Sequence, residues 1–165
     1  MSVGKGSTVK LSLVIPTRNR CQALALTLEH LSRQTLSSQD FEVWVVDDGS
    51  QDDTLQVLHQ FEGQLPLKWL QQDHRGTSVA RNRAIGVAQG QHILFVDDDV
   101  MVPGQFLQRH LTLLEKNPGC LIRGPVVNVE APLPHPLPSL WLAWRHFSKN
   151  YLCTSNASIE RHLLL

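Results

Sequence analysis

The chain has 165 residues, 42% of them hydrophobic, and its 15 Lys and Arg balance its 15 Asp and Glu. That is enough length for one domain with a real core and too little for two. The charge balance excludes a global field that would draw the protein to nucleic acid or to a membrane, so any anion site has to be built locally.

Three cysteines (Cys21, Cys120 and Cys153) are few, odd in number and without metal-ligand spacing. They argue against a disulfide frame or a zinc site and for a reducing, cytoplasmic compartment. No stretch approaches the ~20 apolar residues of a membrane span. Residues 1–10, MSVGKGSTVK, form a polar tail with no secretory apolar core behind it.

The first element is LSLVIP (11–16), an apolar run closed by Pro16 and expected to be a central strand. After the polar turn Thr17-Arg18-Asn19-Arg20, Leu24, Leu28 and Leu31 recur at helical spacing across 21–34. FEVWVV (41–46) predicts a second strand. It runs into Asp47-Asp48-Gly49-Ser50, where Ser50 and Asp53 have capping-box spacing ahead of a helix carrying Leu55, Leu58 and Phe61. Asp52 and Asp53 read as first-turn acids facing the helix dipole. Residues 67–70 predict a short third strand.

A loop, Asp73 to Thr77, precedes a helix expected over 78–89 and stopped by Gly90. Residues 93–96, ILFV, then predict a strand buried on both faces. A further helix is expected over 105–116, and a strand over 120–129 interrupted by Gly124-Pro125. Residues 131–139 hold four prolines and read as a connector. Residues 140–148 predict a helical turn or two, 151–154 a last strand, and 158–165 the start of a helix that runs to Leu163-Leu164-Leu165. Trp141, Trp144 and Phe147 suit either a sugar-stacking wall or the core of a small subdomain.

The strand at 93–96 ends in Asp97, Asp98 and Asp99. Three adjacent carboxylates repel, and burial worsens the repulsion unless a cation or a web of donors neutralises it. Hard oxygen ligands at this density suit Mg²⁺ or Mn²⁺; a solvated acidic turn is the plain alternative. Alternating strands and helices imply an α/β fold: three α/β/α layers around an open, mostly parallel sheet. Ligands of such sheets lie beyond the carboxyl ends of the strands, and the polar clusters after the first, second and fourth strands all belong there. A crevice holding Asp47, Asp48, Arg81 and Asp97–Asp99 has the chemistry to take a nucleoside diphosphate with its metal.

Five segments in order, LSLVIPTRNR (11–20), VWVVDDGSQDDT (43–54), GTSVARNRAIGVAQG (76–90), ILFVDDDVMVP (93–103) and TSNASIER (154–161), resemble the family-2 glycosyltransferases of the GT-A fold. The resemblance implies a core over 11–130 that binds a nucleotide-diphosphate sugar, with a UDP-sugar favoured by family habit. It implies transfer of the sugar to an acceptor hydroxyl, on a glycan or lipid-linked glycan, with inversion through an oxocarbenium-like transition state. Pro16, Thr17 and Arg18 would line the base and ribose pocket. Asp48 would bind the base, Arg81 would face the phosphates, and Asp97 and Asp98 would serve the donor. Asp99, or Asp98, would ligate Mn²⁺ or Mg²⁺.

The family's general base comes later, in a Gly-Gly-Phe-Asp-Glu-like stretch absent from these residues, so the resemblance puts it beyond Leu165. Glu130 and Glu160 are substitutes only in being acids. Residues 140–165 are therefore expected to begin an acceptor-side part that is incomplete at Leu165, with peripheral membrane contact open to it. A fragment that binds nucleotide, or a partner chain, without turnover is the alternative function. A nucleotidyltransferase ranks lower, since the turn after the first strand lacks a glycine-rich phosphate loop.

Overall fold

A computed structural model describes residues 9–126 and 156–165. Strands β1 (Leu11–Thr17), β2 (Phe41–Asp47), β3 (Leu67–Gln71), β4 (His92–Val96), β5 (Ile122–Arg123) and β6 (Asn156–Glu160) form one sheet in the order β3-β2-β1-β4-β6-β5. The first four strands are parallel; β6 runs antiparallel to both β4 and β5. Helices α1 (Cys21–Ser32), α2 (Thr54–Gln60), α3 (Thr77–Val87) and α4 (Phe106–Lys116) complete the α/β architecture.

Every residue of β1 is buried, as its mostly apolar pattern suits a central strand, and the polar Ser12 and Thr17 are each hydrogen-bonded. Its side chains alternate between two cores. Leu11, Leu13 and Ile15 join Leu24, Leu28 and Leu31 of α1 and Leu107, Leu111 and Leu114 of α4. Val14 faces the other way with Val46, Ile93 and Ala80, Ala84 and Ile85 of α3. The small alanines let α3 lie close on that face, and two covered faces give three layers.

Two buried polar devices pin the sheet, one at the amino ends of β1 and β2 and one along β6 beside the carboxyl end of β4. Glu42, 2% exposed, accepts from Ser12 Oγ at 2.7 Å, the Gln89 N–H at 2.6 Å and Lys68 Nζ at 3.0 Å. Burial pushes its pKa up, but those donors outweigh burial and hold it below the ordinary range. His110 on α4 contacts Ser158 Oγ through Nδ1 and Asn156 Oδ1 through Nε2, both at 2.7 Å, fastening α4 to β6.

The structure departs from several sequence expectations. Pro16 does not close β1 but lies inside it, opposite Val46. The β1–β4 register ends at Val14–Phe95, so the missing proline N–H interrupts no pairing on that side. Gly90 is not a left-handed helix stop, since α3 ends at Val87 with Ala88 extended. Glycine is needed there because a Cβ would stand 2.6 Å from the Ser12 backbone nitrogen.

Residues 158–160, expected to open a helix, are strand β6, followed by one 3₁₀ turn at Arg161–Leu163. The pairing of β6 with β4 overrides local helical pattern. Leu165, expected to lie in that helix, belongs to no regular element and is 79% exposed. The 3₁₀ turn ends two residues before it, so no helical register carries its side chain onto a core. Within 120–129 the described residues are strand only at Ile122–Arg123. The prolines of 131–139, the aromatic stretch at 140–148 and the strand expected at 151–154 lie outside the described residues.

Candidate functional site

From β1 the chain winds to β2 and β3 on one side, then crosses to β4 on the other. The strand order therefore reverses between β1 and β4, and the carboxyl ends of those two strands border the crevice of an open α/β sheet. Thr17 ends β1, and Asp97–Asp99 follow β4 directly.

The two strand ends are joined by side chains. Thr17 Oγ1 donates to Asp98 Oδ2 at 2.8 Å. Arg20, at the mouth of α1, forks over two acids: Nη1 donates to Asp98 Oδ1 at 2.9 Å and Nη2 to Asp99 Oδ2 at 2.7 Å. Arg81 of α3 donates to Asp97 Oδ1 at 2.8 Å. The web of donors that three adjacent acids require is thus two arginines and a threonine.

The three acids differ sharply. The Asp98 side chain is 6% exposed and has both oxygens engaged. Burial raises its pKa, against the Thr17 hydrogen bond and the Arg20 charge, with the neighbouring carboxylates adding to the rise. The side chains of Asp97 and Asp99 are 31% and 46% exposed. The outward pair is therefore 97 and 99, with 98 turned into the fold.

No three His, Cys, Asp or Glu among the described residues form a self-sufficient metal cage. Mg²⁺ and its analogues need none: one or two carboxylates suffice when substrate phosphates and waters complete the shell. Asp99, with one oxygen on Arg20 and a half-exposed side chain, fits that donor set. Asp98, 6% exposed with a donor on each oxygen, is less open to such a shell.

Asp48 is buried, and its two oxygens accept four hydrogen bonds from a single loop. Gln72 Nε2 (2.6 Å) and the Arg75 N–H (2.7 Å) reach Oδ1; His74 Nδ1 (2.7 Å) and the Gly76 N–H (2.9 Å) reach Oδ2. Burial alone would raise its pKa; the four donors prevail and hold it far below the carboxylate range. A carboxylate has about four acceptor positions, and donors of the loop between β3 and α3 meet those of Asp48. Gly49, at φ 79°, keeps the turn close to that loop, since a Cβ would come 3.1 Å from the His74 nitrogen. Asp47 is also buried and is more lightly engaged, by the Ser50 N–H at 2.9 Å and Gln71 Nε2 at 3.4 Å.

The loops after β1 and β2 are sewn together. Asn19, at φ 51°, accepts from the Gln51 N–H at 2.7 Å, and its own N–H donates to Ser50 Oγ at 2.9 Å. The expected capping box does not form. Asp52 instead accepts from the Thr54 N–H at 3.1 Å and the Cys21 N–H at 2.9 Å, capping α2 and α1 with one side chain.

Of the residues singled out in sequence, the structure brings Thr17, Arg81, Asp97, Asp98 and Asp99 together. Pro16 is buried beneath them in β1, and Arg18 is exposed, joined to none of the acids by a hydrogen bond. Glu160 lies elsewhere. It pairs with His92 at the start of β4, accepts from the Gly119 N–H at 2.5 Å and pairs with His162 at 3.2 Å. Leu165, past which the general base is expected, has a purely apolar side chain and contributes no chemistry to the rim. Arg20 was missed, although three acids in search of cations and an arginine three residues beyond β1 were both legible.

A three-layer sheet with acids and arginines at its switch point defines a nucleotide-type α/β domain. The family model described as glycosyl transferase family 2 matches residues 12–160, and the chain belongs to that family. The validoxylamine A glucosyltransferase of Streptomyces hygroscopicus subsp. jinggangensis is 42% identical over 100 residues, which are 59% of this chain and 24% of that protein. The poly(ribitol-phosphate) beta-N-acetylglucosaminyltransferase TarS of Staphylococcus aureus is 32% identical over 111 residues, 66% of this chain and 19% of that protein.

Among solved structures, S. aureus TarS 1-349 in complex with UDP superposes with a TM-score of 0.79 at 26% identity, covering 94% of this chain and 48% of that one. Its complex with UDP-GlcNAc gives 0.76 at 25%, covering 94% and 46%. The chain thus spans about half the length of these solved relatives and a quarter or less of the curated ones. No helix among the described residues is long and apolar enough to cross a membrane.

Proposed function

We propose that this chain is the donor-binding part of an inverting, metal-dependent glycosyltransferase that uses a UDP-sugar and an acceptor hydroxyl. One observation carries the reading: Thr17, Arg20, Arg81 and the three acids, drawn from four separate elements, form one hydrogen-bonded rim at the β1/β4 switch point. The relatives crystallised with UDP and UDP-GlcNAc support the choice of nucleotide.

In this reading Asp99 would hold the divalent cation beside the donor's diphosphate. Asp97, oriented by Arg81, faces the ribose and phosphates. Asp98 is the buried anchor that Thr17 and Arg20 hold in place. When bound, the cation would offset the charge that develops on the departing diphosphate. Asp48 acts at one remove: it rigidifies the loop 72–76 that walls the base pocket. Asp47, equally buried, supports the turn through the Ser50 N–H and Gln71.

This reading assigns the general base to none of the described residues. Glu160 points at the wrong end of β4, which favours binding without turnover by this stretch on its own. Calorimetry with UDP and Mn²⁺, run beside a donor-hydrolysis assay, tests both readings. Metal-dependent UDP binding is expected; its absence would remove the donor-site assignment.

A further inference from the structure

The rim carries three negative charges, Asp97, Asp98 and Asp99, and two positive ones bonded directly to them, Arg20 and Arg81. Arg20 is the unusual member. One branch of its fork is fixed on the buried Asp98, the other on Asp99, the half-exposed oxygen donor to which the proposed function gives the metal. A guanidinium 2.7 Å from Asp99 Oδ2 is a competitor for any second cation on that carboxylate.

We propose that Arg20 is the resident counter-cation of Asp99, and that it makes divalent-cation binding depend on the nucleotide diphosphate. This rests on the donor-site reading above. The charge count gives the reason. With both arginines in place the rim holds one net negative charge, so a lone dication turns it positive. The diphosphate of a nucleotide sugar entering with the dication brings two negative charges and restores the balance, and free UDP, with its terminal phosphate, brings more. Cation and nucleotide therefore bind as a pair, and the Arg20 Nη2–Asp99 bond is exchanged for the metal bond. Asp98 keeps hold of Nη1, so Arg20 stays beside the site as a positioning residue. Lysine at this place would preserve the charge; glutamine would keep a donor for Asp98 and remove the charge.

The test is a Mn²⁺ titration followed by electron paramagnetic resonance, with and without UDP, on the full chain and on Arg20→Gln, Arg20→Lys and Asp99→Asn. The wild type should bind Mn²⁺ weakly alone and more tightly with UDP. Arg20→Gln should bind Mn²⁺ alone about tenfold more tightly, the effect of a unit charge ~6 Å from a dication in a water-like medium. Its gain from UDP should shrink to match, whereas Arg20→Lys should keep the wild-type pattern.

A folded Arg20→Gln with unchanged or weaker nucleotide-free affinity overturns the proposal alone. Failure of the wild type to bind Mn²⁺ with UDP, or retained binding in Asp99→Asn, overturns the donor-site reading and this proposal together. A second readout needs no variant. The guanidinium NMR signals of Arg20 in the wild type should shift when Mg²⁺ and UDP are added together and stay put with Mg²⁺ alone. Unchanged signals in both cases count against the exchange.

Discussion

The hydroxyl of Thr17 donates to Asp98 Oδ2 at 2.8 Å, closing the gap between the last residue of β1 and the acids after β4. The bond spans 81 residues of sequence and ends on a carboxylate that is nearly sealed from water. Thr17→Val keeps the shape of the side chain and removes the donor. It should cost roughly 1–3 kcal/mol, the usual result of leaving a buried charged acceptor short of a partner. Urea unfolding measures the loss, and a midpoint equal to the wild type's would show that Asp98 does not need the bond.

Asp99→Ala should abolish the metal-dependent component of UDP binding and leave the unfolding midpoint nearly unchanged, since the side chain is half-exposed. Titration heats identical to the wild type's would deny it the metal.

Asp48 and Asp47 should separate cleanly. Asp48→Asn turns one of the two acceptor oxygens into an NH2 donor, so two of the four donors lose their partner. Its signature should be faster hydrogen exchange at the Arg75 and Gly76 amides, with UDP binding weakened as a consequence. Asp47→Asn, which touches Ser50 and Gln71 but not the 74–76 stretch, should leave those amides protected. Equal exchange rates in wild type and Asp48→Asn would contradict the loop role.

Gly90→Ala places a methyl 2.6 Å from the Ser12 nitrogen and 2.8 Å from the Leu11 carbonyl carbon. Backbone cannot yield as a flexible side chain can, so a loss of roughly 1–3 kcal/mol is expected. Thermal or urea denaturation reads it directly; full stability would mean that the turn relaxes without strain.

His110 is kept neutral: burial lowers its pKa from the ordinary 6.5, opposed by the Asn156 hydrogen bond. The groups that face it, Ser158, Asn156 and the Phe106 ring, carry no charge. A histidine depressed in the folded state contributes its stability above the unfolded pKa. As pH falls below about 6.5 the unfolded chain takes up the proton first, so stability declines. His110→Gln should flatten the fall in melting temperature between pH 7 and pH 5. An equally steep fall in the variant would place the sensitivity on other histidines.

Much of this was legible in the letters. The largely apolar run 11–16 and the helical spacing of Leu24, Leu28 and Leu31 gave strand and helix at those places, because period and continuity report which faces are buried. The acids after 46 and 96 marked strand ends facing a crevice. Residues 158–160 misled, because a strand at that position depends on β4 as its neighbour and local pattern carries no record of neighbours. Gly90 misled for a related reason: its close approach is to Ser12, 78 residues away.

The order of elements along the chain determined by itself that residues 17, 81 and 97–99 would gather at one rim, since parallel strands joined by right-handed crossovers leave little choice. What each acid does there was decided by tertiary structure alone. Asp47 and Asp48, or Asp97, Asp98 and Asp99, are chemically identical neighbours. Only the donors that other elements bring to them, and the depth at which the fold sets each carboxylate, make one a fixed anchor and leave another facing outward.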